Sequence, residues 1–208
     1  MIFPIPETKY KLLNIIYIDG KIKVSDLLKK AHASQKAAYA YLNDLITAGI
    51  ITEERTGKKP LLRHFKPNLA TEAGKLIFAL LEEHRTIDFL LKHKKLMGSF
   101  LQFRREVGLL ADTALVFGSF ARDSETKDSD IDIAIVGEHI EKKKIEHCIE
   151  RCFVTSNNRP SVRLFKTSEF INNAKENDDF VLQVINSHIV LVNSFKWIGI
   201  YAACRPNP

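Results

Sequence analysis

Cysteine, glycine, proline and tryptophan are scarce in this 208-residue chain, with 3, 9, 7 and 1 occurrences. So few glycines and prolines exclude collagen-like repetition, and 45% apolar against 27% charged residues excludes a chain too polar to bury a core. Three cysteines, Cys148, Cys152 and Cys204, do not make a disulfide framework. Cys148 and Cys152 are spaced to share a helix face. A zinc site would need two further ligands, and only His147 adjoins them, so a reduced structural role is expected. Apolar stretches such as Leu76 to Leu81 fall far short of the roughly 18 residues that cross a bilayer. The opening segment, Met1 to Tyr10, has two prolines and no basic flank before an apolar block, unlike a secretory signal. The expectation is a cytoplasmic protein without membrane association.

Charge is present but unevenly placed. Residues 1–111 carry 19 Lys and Arg against 11 Asp and Glu, a balance of +8, and residues 112–208 carry 12 against 14, a balance of −2, within a net +6. A basic half suits a polyanion, because every phosphate it neutralises releases counterions. An acidic half with clustered aspartates suits a metal. Two domains with different partners are expected, although a soluble surface with chance asymmetry has the same totals.

In the basic half, Leu12, Leu13, Ile15, Ile16 and Ile18 recur at helical spacing before Asp19-Gly20. A short second helix carries Val24, Leu27 and Leu28 and opens at the cap-like Ser25. A third starts at Ser34, runs through Ala38, Tyr41, Leu42, Leu45 and Ile46, and stops at Ala48-Gly49. Ile50 to Thr52, a polar turn from Glu53 to Pro60, and Leu61 to Phe65 read as a hairpin with a basic tip. This segment resembles the winged helix-turn-helix of small transcriptional regulators over roughly residues 7–69. The resemblance implies double-stranded DNA as partner, with the third helix in the major groove and the wing on the flanking backbone. Ser34, Gln35, Lys36, Tyr39 and Asn43 would then point outward towards base edges or phosphates, and Lys58, Lys59 and Arg63 would contact phosphates. A protein-docking role is the alternative, and Glu53 and Glu54 at the wing base would repel phosphate.

From Thr71 to about Val107 the pattern is helical, with Leu76, Ile77, Leu80 and Leu81 and then Ile87, Leu90 and Leu91. Gly98-Ser99 is the expected break. These helices suit either a homodimer interface or a linker packed on its own chain.

Further on, Ala114 to Phe117 has strand character and leads into Gly118-Ser119-Phe120-Ala121-Arg122, a polar loop, and Asp130-Ile131-Asp132-Ile133-Ala134-Ile135-Val136. Side chains alternate along a strand, so Asp130 and Asp132 share one face about 6.6 Å apart while the isoleucines anchor the other. Paired carboxylates at that spacing can hold divalent cations that bridge phosphate oxygens in phosphoryl or nucleotidyl transfer. Gly118 permits a tight exit from the first strand, and the Ser119 hydroxyl with nearby backbone N–H groups can cradle phosphate.

Gly118-Ser119, ten intervening residues and Asp130-Ile131-Asp132 resemble the signature of the polymerase-beta-like nucleotidyltransferase superfamily. The form Gly-Ser-Phe-Ala-Arg followed by Ser-Asp-Ile-Asp is most similar to its minimal nucleotidyltransferase branch, over about residues 111–192. The resemblance implies a small mixed sheet flanked by helices. It also implies a nucleoside triphosphate donor, ATP first, with Mg2+ or Mn2+ as cofactor. Gly118, Ser119 and Arg122 would hold the triphosphate, and Asp130 and Asp132 would be the catalytic and metal-binding carboxylates. Arg122 could instead pair with Asp123 or Asp128. Minimal nucleotidyltransferases of this kind are often encoded beside a helical HEPN-type toxin that they modify, which makes such a toxin a candidate partner.

One departure stands out. Active members supply a third carboxylate from a later strand, but the next strand here, Ser161 to Phe165, offers only Ser161 and Arg163. Glu169 belongs to the first turn of a following helix capped by Thr167 or Ser168. Asp178-Asp179 reads as the acidic start of another helix rather than as metal ligands. Ile189 to Val192 reads as a last strand at a sheet edge, and Phe195 to Cys204 as an apolar tail that caps the core or joins a partner.

The fold expected is α+β: a winged helix-turn-helix over 1–69, a helical linker or dimerisation segment over 70–110, and a nucleotidyltransferase-type mixed sheet flanked by helices over 111–208. Two functions follow. One is a DNA-binding nucleotidyltransferase that moves a nucleoside monophosphate to a hydroxyl acceptor; the other is a transcriptional regulator whose nucleotide-binding domain is catalytically degenerate.

Overall fold

A computed structural model of the chain describes residues 6–58, 61–154 and 156–205. The chain divides into two compact units, Met1–Leu81 and Glu82–Pro208.

In the first unit, α1 (Glu7–Asp19), β1 (Ile22–Lys23), α2 (Val24–Ala31) and α3 (Gln35–Thr47) precede the strands β2 (Ile51–Thr56) and β3 (Leu62–Pro67). Gly20, at φ 68, ends α1 in a left-handed turn and donates its N–H to Ile16 O, a conformation glycine adopts without steric cost. The strands form one antiparallel sheet in the order β1-β3-β2, with Ile22 opposite Phe65 and Glu53 opposite Phe65. The three helices bury Leu12, Leu13, Ile16, Leu27, Ala38, Leu42 and Leu45, together with Ile51 and Phe65 from the sheet.

Two boundaries differ from the sequence expectation. Lys23, not Ser25, stands before α2, because the short β1 delivers the chain straight into the helix. The expected turn from Glu53 is instead strand to Thr56. Ion pairs across and along the β2–β3 ladder, Glu53 with Arg63 and Arg55 and Glu54 with Lys66, let these charged residues lie extended.

The helix α4 (Glu72–Lys92) is followed by α5 (Met97–Val107). The break between them falls at 93–96, where Lys94-Lys95 lies, and Gly98-Ser99 sits inside α5. Helices of the expected linker or dimerisation segment over 70–110 pack on their own chain: Phe89, Phe100, Phe103 and Val107 are core residues of the second unit.

That unit contains β4 (Thr113–Val116), the short α6 (Gly118–Ala121), β5 (Ile131–Val136), α7 (Lys142–Cys152), β6 (Pro160–Phe165), α8 (Thr167–Lys175), α9 (Asp179–Asn186), β7 (Ile189–Val192) and α10 (Ser194–Cys204). The sheet order is β6-β5-β4-β7, with β4 antiparallel to both neighbours and β5 parallel to β6. This is the mixed α+β arrangement expected for the C-terminal half, with β7 at an edge. Ile131, Ile133 and Ile135 share one sheet face with Ala114 and Val116, and pack with α5 and with Ile145, Cys148 and Cys152 of α7. Strand alternation turns Leu115, Ala134 and Val136 the other way.

The apolar tail is a helix: α10 buries Trp197, Ile198 and Tyr201 and packs on α8, β4 and β7. Asp178 accepts the N–H of Val181 and so caps α9, while Lys166, rather than Thr167 or Ser168, precedes α8. Among the described residues, no helix is long and apolar enough to cross a membrane.

Candidate active site

The end of β4 and the start of β5 meet because the two strands are antiparallel neighbours. Phe117 donates its N–H to Asp132 O at 3.0 Å, which fixes the exit of β4 against the second residue of β5. Immediately after it, Gly118 turns at φ +70, and a Cβ placed there would lie 2.3 Å from Asp132 Oδ2. Glycine is required twice at this point, once for the left-handed backbone and once because the Asp132 carboxylate occupies the space of a side chain. Arg122 N–H closes the following turn on Gly118 O and Ser119 O, and Ser124 N–H donates to Ser119 O. The Ser119 hydroxyl has no hydrogen-bond partner among the described residues and stays available to an added acceptor.

Asp130 lies just before β5, one residue outside the strand expected for it, and is exposed; Asp132 is half-buried. Burial, and then the Asp130 charge, hold the Asp132 carboxyl above its ordinary range, with Arg122 and Arg163 pulling the other way. A carboxylate desolvated beside the Asp130 charge forms with it a donor set short of positive charge, and this is the condition a cation relieves. The residues therefore fit a divalent cation. Asp130 and Asp132 would hold it, and when bound it would draw together the charges of carboxylate and phosphate oxygens.

The neighbouring strand explains the missing third acid. Parallel pairing sets Asp132 opposite Ser161 and Ala134 opposite Arg163, so both β6 residues share the Asp132 face. Glu169 is in the first turn of α8, not on that face of the strand. The Arg163 guanidinium lies 4.4 Å over the ring of Phe180, whose ring is 5.3 Å from Phe117. This stacking was not legible in the sequence, since Phe180 sits in α9 and meets Arg163 only through the packing. Arg122 forms no salt bridge with Asp123 or Asp128 among the described residues; Lys92 Nζ lies 2.5 Å from Asp123 Oδ1.

In the first unit, Ser34 precedes α3, and Ser34, Gln35, Lys36 and Asn43 are exposed, while Tyr39 is half-buried. Lys58 is exposed, and Lys59 lies outside the described residues. Arg63 is bound to Glu53 through two hydrogen bonds, of 2.5 and 3.2 Å, and stacks 4.8 Å over the Tyr39 ring. Glu54 in turn pairs with Lys21 at 2.8 Å. The acids at the base of the strand pair are thus neutralised within the fold.

Cys148 and Cys152 are buried with their Sγ atoms 3.9 Å apart, and burial pushes the Cys148 thiol up to about 12, so it stays protonated at neutral pH.

Residues 110–196 match the model of the family described as polymerase beta, nucleotidyltransferase. The matched segment is less than half of the chain and contains the whole site just described, from Gly118 through Asp132 to Arg163. Over that segment the chain is similar to nucleotidyltransferase domains. No curated protein and no solved structure matches the chain.

Proposed function

We propose that the chain is a DNA-binding nucleotidyltransferase that moves a nucleoside monophosphate from a triphosphate, ATP first, to a hydroxyl acceptor, with Mg2+ or Mn2+ at Asp130 and Asp132. The observation that carries the reading is the contact of the Asp132 carboxylate with the space above Gly118. It joins the acidic strand to the glycine-serine turn within van der Waals reach. In the transfer, the acceptor oxygen bonds to the α-phosphorus, the bond from that phosphorus to the β-phosphate oxygen breaks, and pyrophosphate leaves. The acceptor proton goes to water, because β6 offers no carboxylate to take it. This absence makes the expected turnover slow. The supporting arrangement in the first unit is the order of three helices and an antiparallel strand pair, with Gln35, Lys36 and Asn43 exposed on the third helix, as a winged helix-turn-helix on DNA requires. A HEPN-type helical toxin is the proposed acceptor.

Arg163 favours a second reading. A guanidinium on the Asp132 face, held on Phe180, supplies charge that a third carboxylate would otherwise oppose, and it is suited to gripping phosphate rather than to taking a proton. On that reading the domain holds nucleotide and the output is DNA occupancy. Incubation with α-labelled ATP, Mg2+ and candidate acceptors separates the two. Label transfer that vanishes in Asp130→Ala and Asp132→Ala supports the enzyme. Bound but untransferred nucleotide supports the regulator.

A further inference from the structure

The loop from 122 to 130 joins the glycine-serine turn to the aspartate strand, and it contains a second group of ligand atoms. One ring nitrogen of His93, one carboxylate oxygen of Asp123 and one of Glu125 lie within 4.8 Å of one another. His93 Nδ1 is 3.8 Å from Glu125 Oε1, too far for a hydrogen bond, and the side chains of His93 and Glu125 are only 9% and 20% exposed. His93 Nε2 and Glu125 Oε2 are buried without a hydrogen-bond partner among the described residues. Polar atoms left unpartnered in two neighbouring, mostly buried side chains are costly to a fold, and a bound cation is one group that would offset that cost.

We propose that His93, Asp123 and Glu125 form a site for a first-row divalent transition ion, separate from the cation site of the aspartate pair. One imidazole and two carboxylates suit zinc, cobalt or manganese, with water completing the coordination. Contacts at 4.5 Å to Phe89 and 5.3 Å to Phe120 hold the His93 ring in place. A cavity of about 780 Å³, lined by His93, Glu125, Lys94, Lys95, Lys127 and Asn158, leads to the group from solvent. The ion binds against a local charge cost, because Lys92 already sits on Asp123 and the cavity is lysine-rich. Both side chains of the Lys92–Asp123 pair are largely exposed, at 47% and 65%, so the pair yields readily. Filling the site ties the end of α4 to the loop ahead of Asp130.

The test is a titration of the full chain carrying Asp130→Asn and Asp132→Asn with Co2+, read by visible absorption, and with Zn2+, read by the unfolding temperature. One cobalt per chain and a zinc-dependent rise in unfolding temperature are expected in this background. Both should be lost on adding His93→Ala. Glu125→Gln should weaken cobalt at least ten-fold, and Lys92→Ala should tighten it a few-fold, an opposite sign that a packing role would not produce. No cobalt band in the aspartate-free background, or a band untouched by His93→Ala and Glu125→Gln, overturns the proposal. If His93→Ala melts early without metal, Glu125→Gln decides alone. Because the paired aspartates are absent from every test protein, failure here leaves the transferase reading untouched.

Discussion

Two pairs of acidic side chains, one in each unit, behave differently. At the base of the β2–β3 strand pair, Glu53 is gripped by Arg63 and Arg55, and Glu54 by Lys21 and Lys66. Arg63 beside Glu53 holds that carboxyl below the ordinary glutamate range. At the start of β5, Asp130 and Asp132 form no salt bridge among the described residues, and Asp132 is shifted upwards by burial and by its neighbour. Paired acids hold a fold together, whereas a desolvated acid left beside a like charge reduces stability and marks a place where something binds.

The comparison breaks most visibly at Gly118. Gly118→Ala puts a methyl group into the Asp132 carboxylate at a left-handed residue, and a destabilisation of about 1–3 kcal/mol is expected with loss of nucleotide binding. Denaturant unfolding and nucleotide titration check it. An unchanged affinity would separate the turn from the site.

The two acids should also respond oppositely to neutralisation. Asp132→Asn should abolish transfer yet raise the unfolding temperature at neutral pH, since it removes a carboxylate whose ionisation the fold disfavours. Glu53→Gln should lower the unfolding temperature modestly, because it removes an ion-paired one. The pH signs follow. A raised folded-state pKa means that Asp132 favours the fold at low pH and that this contribution fades as pH rises through its folded value. A lowered one means that Glu53 contributes above its unfolded value and loses that contribution as pH falls through its folded value. Melting curves of the two variants against wild type, taken from acid to neutral pH, should converge for Glu53→Gln at the acid end and diverge for Asp132→Asn towards neutrality. Curves that move in parallel would erase the distinction.

The smallest effect is expected at the wing tip. Lys58→Ala should weaken duplex DNA binding slightly and reduce the slope of log affinity against log salt by about one. A salt slope that does not change would remove Lys58 from the phosphate contacts.

How much of this was legible in the sequence differs by feature. The Gly118-Ser119 turn and the alternating Asp130 to Val136 run were legible because a tight turn and a two-residue period are local, and local chemistry dictates both. The strand pair was legible as a hairpin but too short, since the cross-strand partners that let Glu53 to Thr56 extend come from residues 62 to 65. The break after α4 was misplaced at Gly98-Ser99 because a glycine in a helix costs only about 1 kcal/mol relative to alanine, and burial of Phe100, Phe103 and Val107 holds α5 through it. Arg163 was visible as a departure, but its stacking on Phe180 and the meeting of His93 with Glu125 depend on elements far apart in the chain, which no local pattern encodes.

The most direct test of the central claim is Mg2+-dependent binding of α-labelled ATP to the full chain, compared with Asp130→Asn and Asp132→Asn. The account predicts binding that requires the divalent ion and falls at least ten-fold in each variant. Binding that is indifferent to Mg2+ and to both aspartates would contradict it.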